Sequence, residues 1–167
     1  MKNKSVVFGS IAGALTVVFL LIVYLVDKTL FFSPWVAYSP MLLYIGAMAM
    51  ASLQTAAATE GPFPWRDALR VGFLTYLIAN AWFYVFYYVI HQIDPSLAVL
   101  QKEIMREALP GFTKPENLGE AYKKLDDQDF QVSLGQVILG WAQGAIIGFG
   151  LASMVALITR RESNVTA

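Results

Sequence analysis

Long uncharged stretches alternate with short polar ones along this chain, and the alternation predicts its elements. Apolar runs cover Ser5–Val26, Pro40–Ala58, Val71–Ile93 and Phe130–Thr159. Each approaches or exceeds the roughly 20 residues that an α-helix needs to cross the hydrocarbon of a bilayer. The pattern predicts an all-α fold, an integral membrane four-helix bundle forming one domain over 1–167. Its spans fall at about 5–26, 40–58, 66–93 and 132–159, with a helical amphipathic connector at about 94–131 between spans three and four.

The breaks between spans have recognisable chemistry. Phe31, Phe32, Trp35 and Tyr38 cluster around Pro34, as rings do at the headgroup level. Ser39-Pro40 suits a helix start, because proline at the first position gives up no needed hydrogen bond. Glu60-Gly61-Pro62-Phe63-Pro64 is too rich in proline and glycine to continue a helix. Trp65 to Arg70 then reads as an interfacial first turn leading into span three.

In the connector, Asp94-Pro95 both closes span three and caps the next helix. Ser96–Leu109 carries Leu97, Leu100, Ile104 and Ala108 as one apolar stripe, and Pro110-Gly111 is expected to end that helix. A second short helix is expected from Lys114-Pro115, with Leu118, Tyr122 and Leu125 as its stripe.

Polar residues inside the spans are few and patterned. Tyr76, Asn80, Tyr84, Tyr87 and His91 recur at helical spacing on one face of span three. Lipid offers a buried amide no partner, so Asn80 needs one from the protein. If spans three and four run antiparallel, Gln143 falls near the depth of Asn80 and Gln136 near that of His91. Tyr76, Asn80, Tyr84, His91, Gln136 and Gln143 are therefore the candidate polar intramembrane face. It either satisfies itself within the bundle or lines a cavity that binds something.

Gly140, Gly144 and Gly148 repeat at four-residue intervals, a pattern that allows close helix packing. The contact is either within the chain or with another copy. Gly9 and Gly13 repeat the spacing in span one. The bundle is expected to pack around span four, with Gly144 facing the Gly72–Asn80 side of span three.

Composition sharpens this picture. Of 167 residues 57% are hydrophobic and 14% charged, against about 25% charged in soluble domains. Twelve basic residues balance twelve acidic ones, which gives no nucleic-acid footprint. The absence of cysteine excludes disulfide and thiol chemistry. Lys2 and Lys4 followed by Ala12-Gly13-Ala14 loosely resemble a signal peptide, but the apolar run is longer than a signal core, so an uncleaved span is expected.

No charged residue lies inside the four apolar runs, unlike the spans of most ion-coupled pumps. There is no Walker-type loop, no G-x-S-x-G and no zinc-binding His-Glu helix. His91, the sole histidine, reads as an interfacial polar group. The expectation is no enzyme, no catalytic residue, no metal and no cofactor.

With the N-terminus inside, Lys2, Lys4, Arg66, Arg70, Arg160 and Arg161 face the cytoplasm. Lys28, Lys102, Arg106, Lys114, Lys123 and Lys124 face outward, which is a tie by count. The first group crowds beside the spans, and that favours both termini in the cytoplasm.

The four-span layout, the run Trp65-Arg66-Asp67-Ala68-Leu69-Arg70-Val71-Gly72, the Trp82-Phe83-Tyr84 patch and the helical connector resemble an uncharacterised family of small bacterial membrane proteins, a domain of unknown function. The resemblance implies a four-helix bacterial inner-membrane protein and implies no activity. The expected partners are the lipid bilayer and either a second copy or another membrane protein. The expected role is interaction or structure, with the acidic connector as exposed surface. The alternative is a small oligomeric transporter or channel.

Overall fold

A computed structural model gives the structure of residues 2–161, with the side chains of Lys2 and Asn3 outside the description, as are the outer limits of the domain expected over 1–167. The helices are α1 (Lys2–Val26), α2 (Pro34–Tyr38), α3 (Pro40–Ala57), α4 (Trp65–Ile93), α5 (Ser96–Phe112), α6 (Leu118–Asp127) and α7 (Leu134–Thr159). α1, α3, α4 and α7 are long and apolar enough to cross a membrane, α3 together with α2. Their outward side chains are apolar on every helix: Ile11, Ile22, Leu42, Val85, Ile146 and Ile158 are all more than half exposed. Such a surface is unfavourable in water and natural in lipid.

The bundle is organised around α4, not around the last span. α4 packs against α1, α3 and α7, whereas α1 and α7 lie on different flanks of it and share no substantial interface. The reason is in the α4 sequence, which is small on more than one side. Ala68, Thr75 and Ala79 are each fully buried, Val71 almost so. The other spans also send hydrogen bonds to α4 carbonyls. The Ser5 hydroxyl donates to Val71 O at 3.1 Å, the Ser52 hydroxyl to Ala68 O at 3.4 Å and Trp141 Nε1 to Leu77 O at 3.4 Å. The α1 glycines face α4 as well. A Cβ added to Gly9 would sit 2.7 Å from Thr75 O, and one added to Gly13 would sit 2.6 Å from the Trp82 side chain.

Both ends of the bundle are tied. At one end Lys4 Nζ donates to Gln54 Oε1 at 3.0 Å. Phe63 and Arg161 exchange backbone hydrogen bonds of 2.8 Å each, an isolated bridge. Arg161 Nη2 also donates to the carbonyls of Thr59 and Gly61. Gly61 turns this loop at φ 92°, a left-handed conformation that costs glycine little. The first and last described helices thus end on one face, as four spans require.

At the other end Asp94 clamps three elements. It accepts from Tyr24 OH at 2.7 Å and from the Ser96 hydroxyl at 2.5 Å, and it pairs with Lys28. Lys28 first, then Ser96 and Tyr24, hold the Asp94 carboxyl well below the usual carboxylate range.

Two details of the connector differ from expectation. α5 continues through Pro110 to Phe112 and stops at the extended Thr113. Only the last turn follows the proline, so little helix suffers from its missing donor. The apolar stripe is also unequal. Leu97 is fully buried with Leu20, Phe31 and Ile90, Leu100 and Ile104 are half-buried, and Ala108 is exposed. α5 and α6 hold each other, because Asp126 accepts from both Lys102 and Arg106, and Arg106 lies 5.4 Å over the Tyr122 ring.

Candidate intramembrane site

α4 and α7 run antiparallel, and their contact is a series of side chains seated in glycine hollows. Gly148 backs on the Tyr76 ring, which an added Cβ would overlap. Gly144 faces Asn80, whose Nδ2 would lie 2.7 Å from an added Cβ. Gly140 faces Tyr84, whose Cε1 would lie 2.7 Å away. Farther along, Gly72 meets Ala152 at an ordinary 3.6 Å. The expected Gly144–Asn80 approach is present, and the glycine stripe belongs to the interior of one chain.

Gln143 does not join this face, and Gln136 meets it only across a cavity that it lines together with Tyr84 and Tyr87. Gln143 is exposed, because it precedes Gly144 by one residue and a helix turns about 100° per residue. Gln136 is also exposed, and its side chain closes a capping box at the start of α7. Gln136 Oε1 accepts from Ser133 N at 2.9 Å and the Ser133 hydroxyl accepts from Gln136 N at 3.2 Å. Four orphan amides at a helix start outcompete a distant histidine for that side chain.

The α4 stripe itself divides. Tyr76, Asn80 and Tyr84 meet α7. Tyr87 and His91 instead pack against each other at a tilt of 42°, with ring centroids 4.1 Å apart, and lie beneath Phe31 and Phe32 of the 3-10 turn Leu30–Phe32. His91 Nδ1 lies 2.8 Å from Tyr87 O. A carbonyl only accepts, so Nδ1 carries the proton and Nε2 is left as a buried acceptor with no partner among the described residues. Among those residues no three His, Cys, Asp or Glu side chains converge.

A cleft of about 200 Å³ opens between α2, α3, α4 and α7. Tyr44, Tyr76, Asn80, Tyr84 and Gly144 form its wall. Tyr44 and Tyr76 meet edge to face at 5.7 Å. Tyr44 is the member that the sequence pattern did not reveal. A lone tyrosine in the otherwise apolar start of α3, one turn from buried Met48, was the available signal. A second cavity of about 320 Å³ lies under the connector, between Tyr87, Gln101, Asp129 and Gln136, and Tyr84 lines both.

Helical spans, lipid-facing apolar surfaces and an uncharged interior together define a small multi-pass membrane protein. Within that class, the chain belongs to the family described as Protein of unknown function (DUF4199), which matches residues 7–161. No curated protein matches the chain, and no solved structure matches it.

Proposed function

We propose that this is a non-enzymatic membrane component that works by pairing, inside the bilayer, with a second copy of itself. The carrying observation is Gln143. It is exposed and lies within a turn of the midpoint of α7, where the surrounding surface is lipid-facing Leu139, Ile146 and Ile147. An amide turned toward hydrocarbon is unfavourable, and a second amide across a two-fold axis offers it both donor and acceptor. Hydroxyls elsewhere in the spans support a structural role. Those of Thr16, Thr55, Thr75 and Thr159 each donate to a carbonyl of their own helix.

In mild detergent the wild type is expected to run as a dimer, and Gln143→Leu as a monomer with unchanged helix content. A monomeric wild type would sink the reading, and a stable complex with a different protein would replace the second copy by that partner.

A small oligomeric transporter or channel is the second reading, favoured by the two cavities that share Tyr84. The same preparation in proteoliposomes decides between them. Ion or solute flux no faster than in protein-free vesicles is expected, and faster flux favours the transporter.

We further infer residence in a bacterial inner membrane with both termini in the cytoplasm. Lys4, Arg66, Arg70, Arg160 and Arg161 gather at the end of the bundle where α1 begins and α7 ends, as cytoplasmic flanks do. Reporters fused after Glu60 or Thr159 are expected to read cytoplasmic and one near Lys114 external; the opposite pattern reverses the orientation.

A further inference from the structure

Asn80 occupies the midpoint of α4, only 5% exposed, and its Nδ2 has no hydrogen-bond partner among the described residues. The side chain presses against Gly144 on one side and forms part of the cleft wall on the other. A half-turn of the amide exchanges its donor and acceptor ends without moving the rest of the residue. Glycine Cα hydrogens then meet the oxygen, a weak but favourable contact, and the NH₂ group turns to the cleft. In either orientation one strong polar group is left without a mate in a layer where lipid supplies none.

We propose that the cleft binds the head of a membrane quinone, a neutral planar ring that bears carbonyl oxygens on an apolar chain. The wall carries no charged side chain, which disfavours an ionic ligand. Its polar members, Asn80 and the phenols of Tyr38, Tyr44, Tyr76 and Tyr84, can all donate, and the buried Tyr44 hydroxyl, like Asn80 Nδ2, has no partner among the described residues, which suits a ligand rich in acceptors. Tyr44, Tyr76, Phe83 and Tyr84 supply aromatic walls that suit a flat ring.

Depth selects among carbonyl compounds. Asn80 lies about thirteen residues before the end of α4, or about 20 Å along the axis. A phospholipid ester is held at the interface by its headgroup and does not reach that layer. A quinone ring dissolves in hydrocarbon and does. Ile147 and Tyr38 also line the cleft and are 55% and 67% exposed; Tyr38, expected at the headgroups, falls instead within the second segment able to cross the membrane, Pro34–Ala57, so the mouth opens sideways into the bilayer. The binding is non-covalent and needs neither the dimer nor a particular orientation of the chain.

The test uses the full chain in phosphatidylglycerol nanodiscs, titrated with decylubiquinone and followed by thermal unfolding. A saturable rise in the melting temperature of the wild type is expected. Asn80→Leu keeps the volume and removes the amide, so it is expected to melt at or above the unliganded wild type and to bind at least about tenfold more weakly. Tyr84→Phe removes only a hydroxyl and is expected to bind about threefold to tenfold more weakly, which keeps the test decisive if the leucine variant misfolds. Absence of a saturable response in the wild type overturns the proposal, as do equal responses in wild type and both variants. Monoolein serves as an ester-bearing control: an equal, Asn80-dependent response to it overturns the assignment to a quinone ring.

Discussion

Gly148→Ile is expected to lower the thermal stability of the protein in detergent by about 1–3 kcal/mol or more, the usual range for overpacking a tight interior. The new side chain would occupy the space of the Tyr76 ring. That ring is itself 4% exposed and held edge to face by Tyr44, so it has little room to withdraw. Helix propensity works the other way, since isoleucine is a better helix former than glycine by a few tenths of a kcal/mol, and the steric term is larger. Gly46→Leu is the control: Gly46 is a mid-span glycine of α3 where an added Cβ would meet nothing within 4 Å, and its replacement should leave melting near wild type. Pairing Gly148→Ile with Tyr76→Ala should recover part of the loss, because the ring that clashes is gone. Unchanged melting of Gly148→Ile, or strict additivity in the double variant, would refute a hollow built for Tyr76.

Phe63→Ala should cost about 3–5 kcal/mol, the range for emptying a buried phenylalanine site. Phe63 is 1% exposed although it lies in a loop, and it packs with Ala51, Ala56, Ala68, Val71 and Ala156. Its backbone carries the bridge to Arg161, so losing the ring should also free the end of α7. Phe112→Ala is the comparison, at a residue 88% exposed, and should change stability by less than about 0.5 kcal/mol. Melting curves and hydrogen exchange at the Phe63 and Arg161 amides measure both effects. Equal exchange in the two variants would show that the loop does not hold the terminus.

The spans were legible because period and length carry that information directly. Uncharged runs of about twenty residues and the breakers at Pro34, Pro62, Pro64 and Asp94-Pro95 mark the helices to within a few residues. The glycine stripe was legible for a related reason, since its spacing fixes a face, and Gly144 does meet Asn80. What the sequence hid were choices between competing partners. Gln143 matches Asn80 in depth, but depth says nothing of azimuth, and one residue turned it to the outside. Gln136 had a nearer use in capping Ser133 than in reaching His91. The central helix was misread because the glycines of α7 are conspicuous, whereas the small residues of α4 are spread over several faces and meet two other helices that sequence spacing cannot locate. Tyr44 joined the cleft from α3 with no motif to announce it.

The three seated pairs between α4 and α7 share a single spacing, four residues on each helix. A four-residue step is about 6 Å along the axis. Sliding α7 by that step would carry Asn80 to the hollow of a neighbouring glycine and leave two of the three hollows filled. Like a zipper with evenly spaced teeth, the seam can therefore still engage after a one-tooth slip, with an amide where a ring had been and one hollow empty. The setting is chosen by contacts that do not repeat: by Trp141 Nε1 on Leu77 O at 3.4 Å, by Gln92 Nε2 on Val132 O at 2.9 Å, and by the Phe63–Arg161 bridge. Parts that touch none of the cleft thus decide which residues meet inside it.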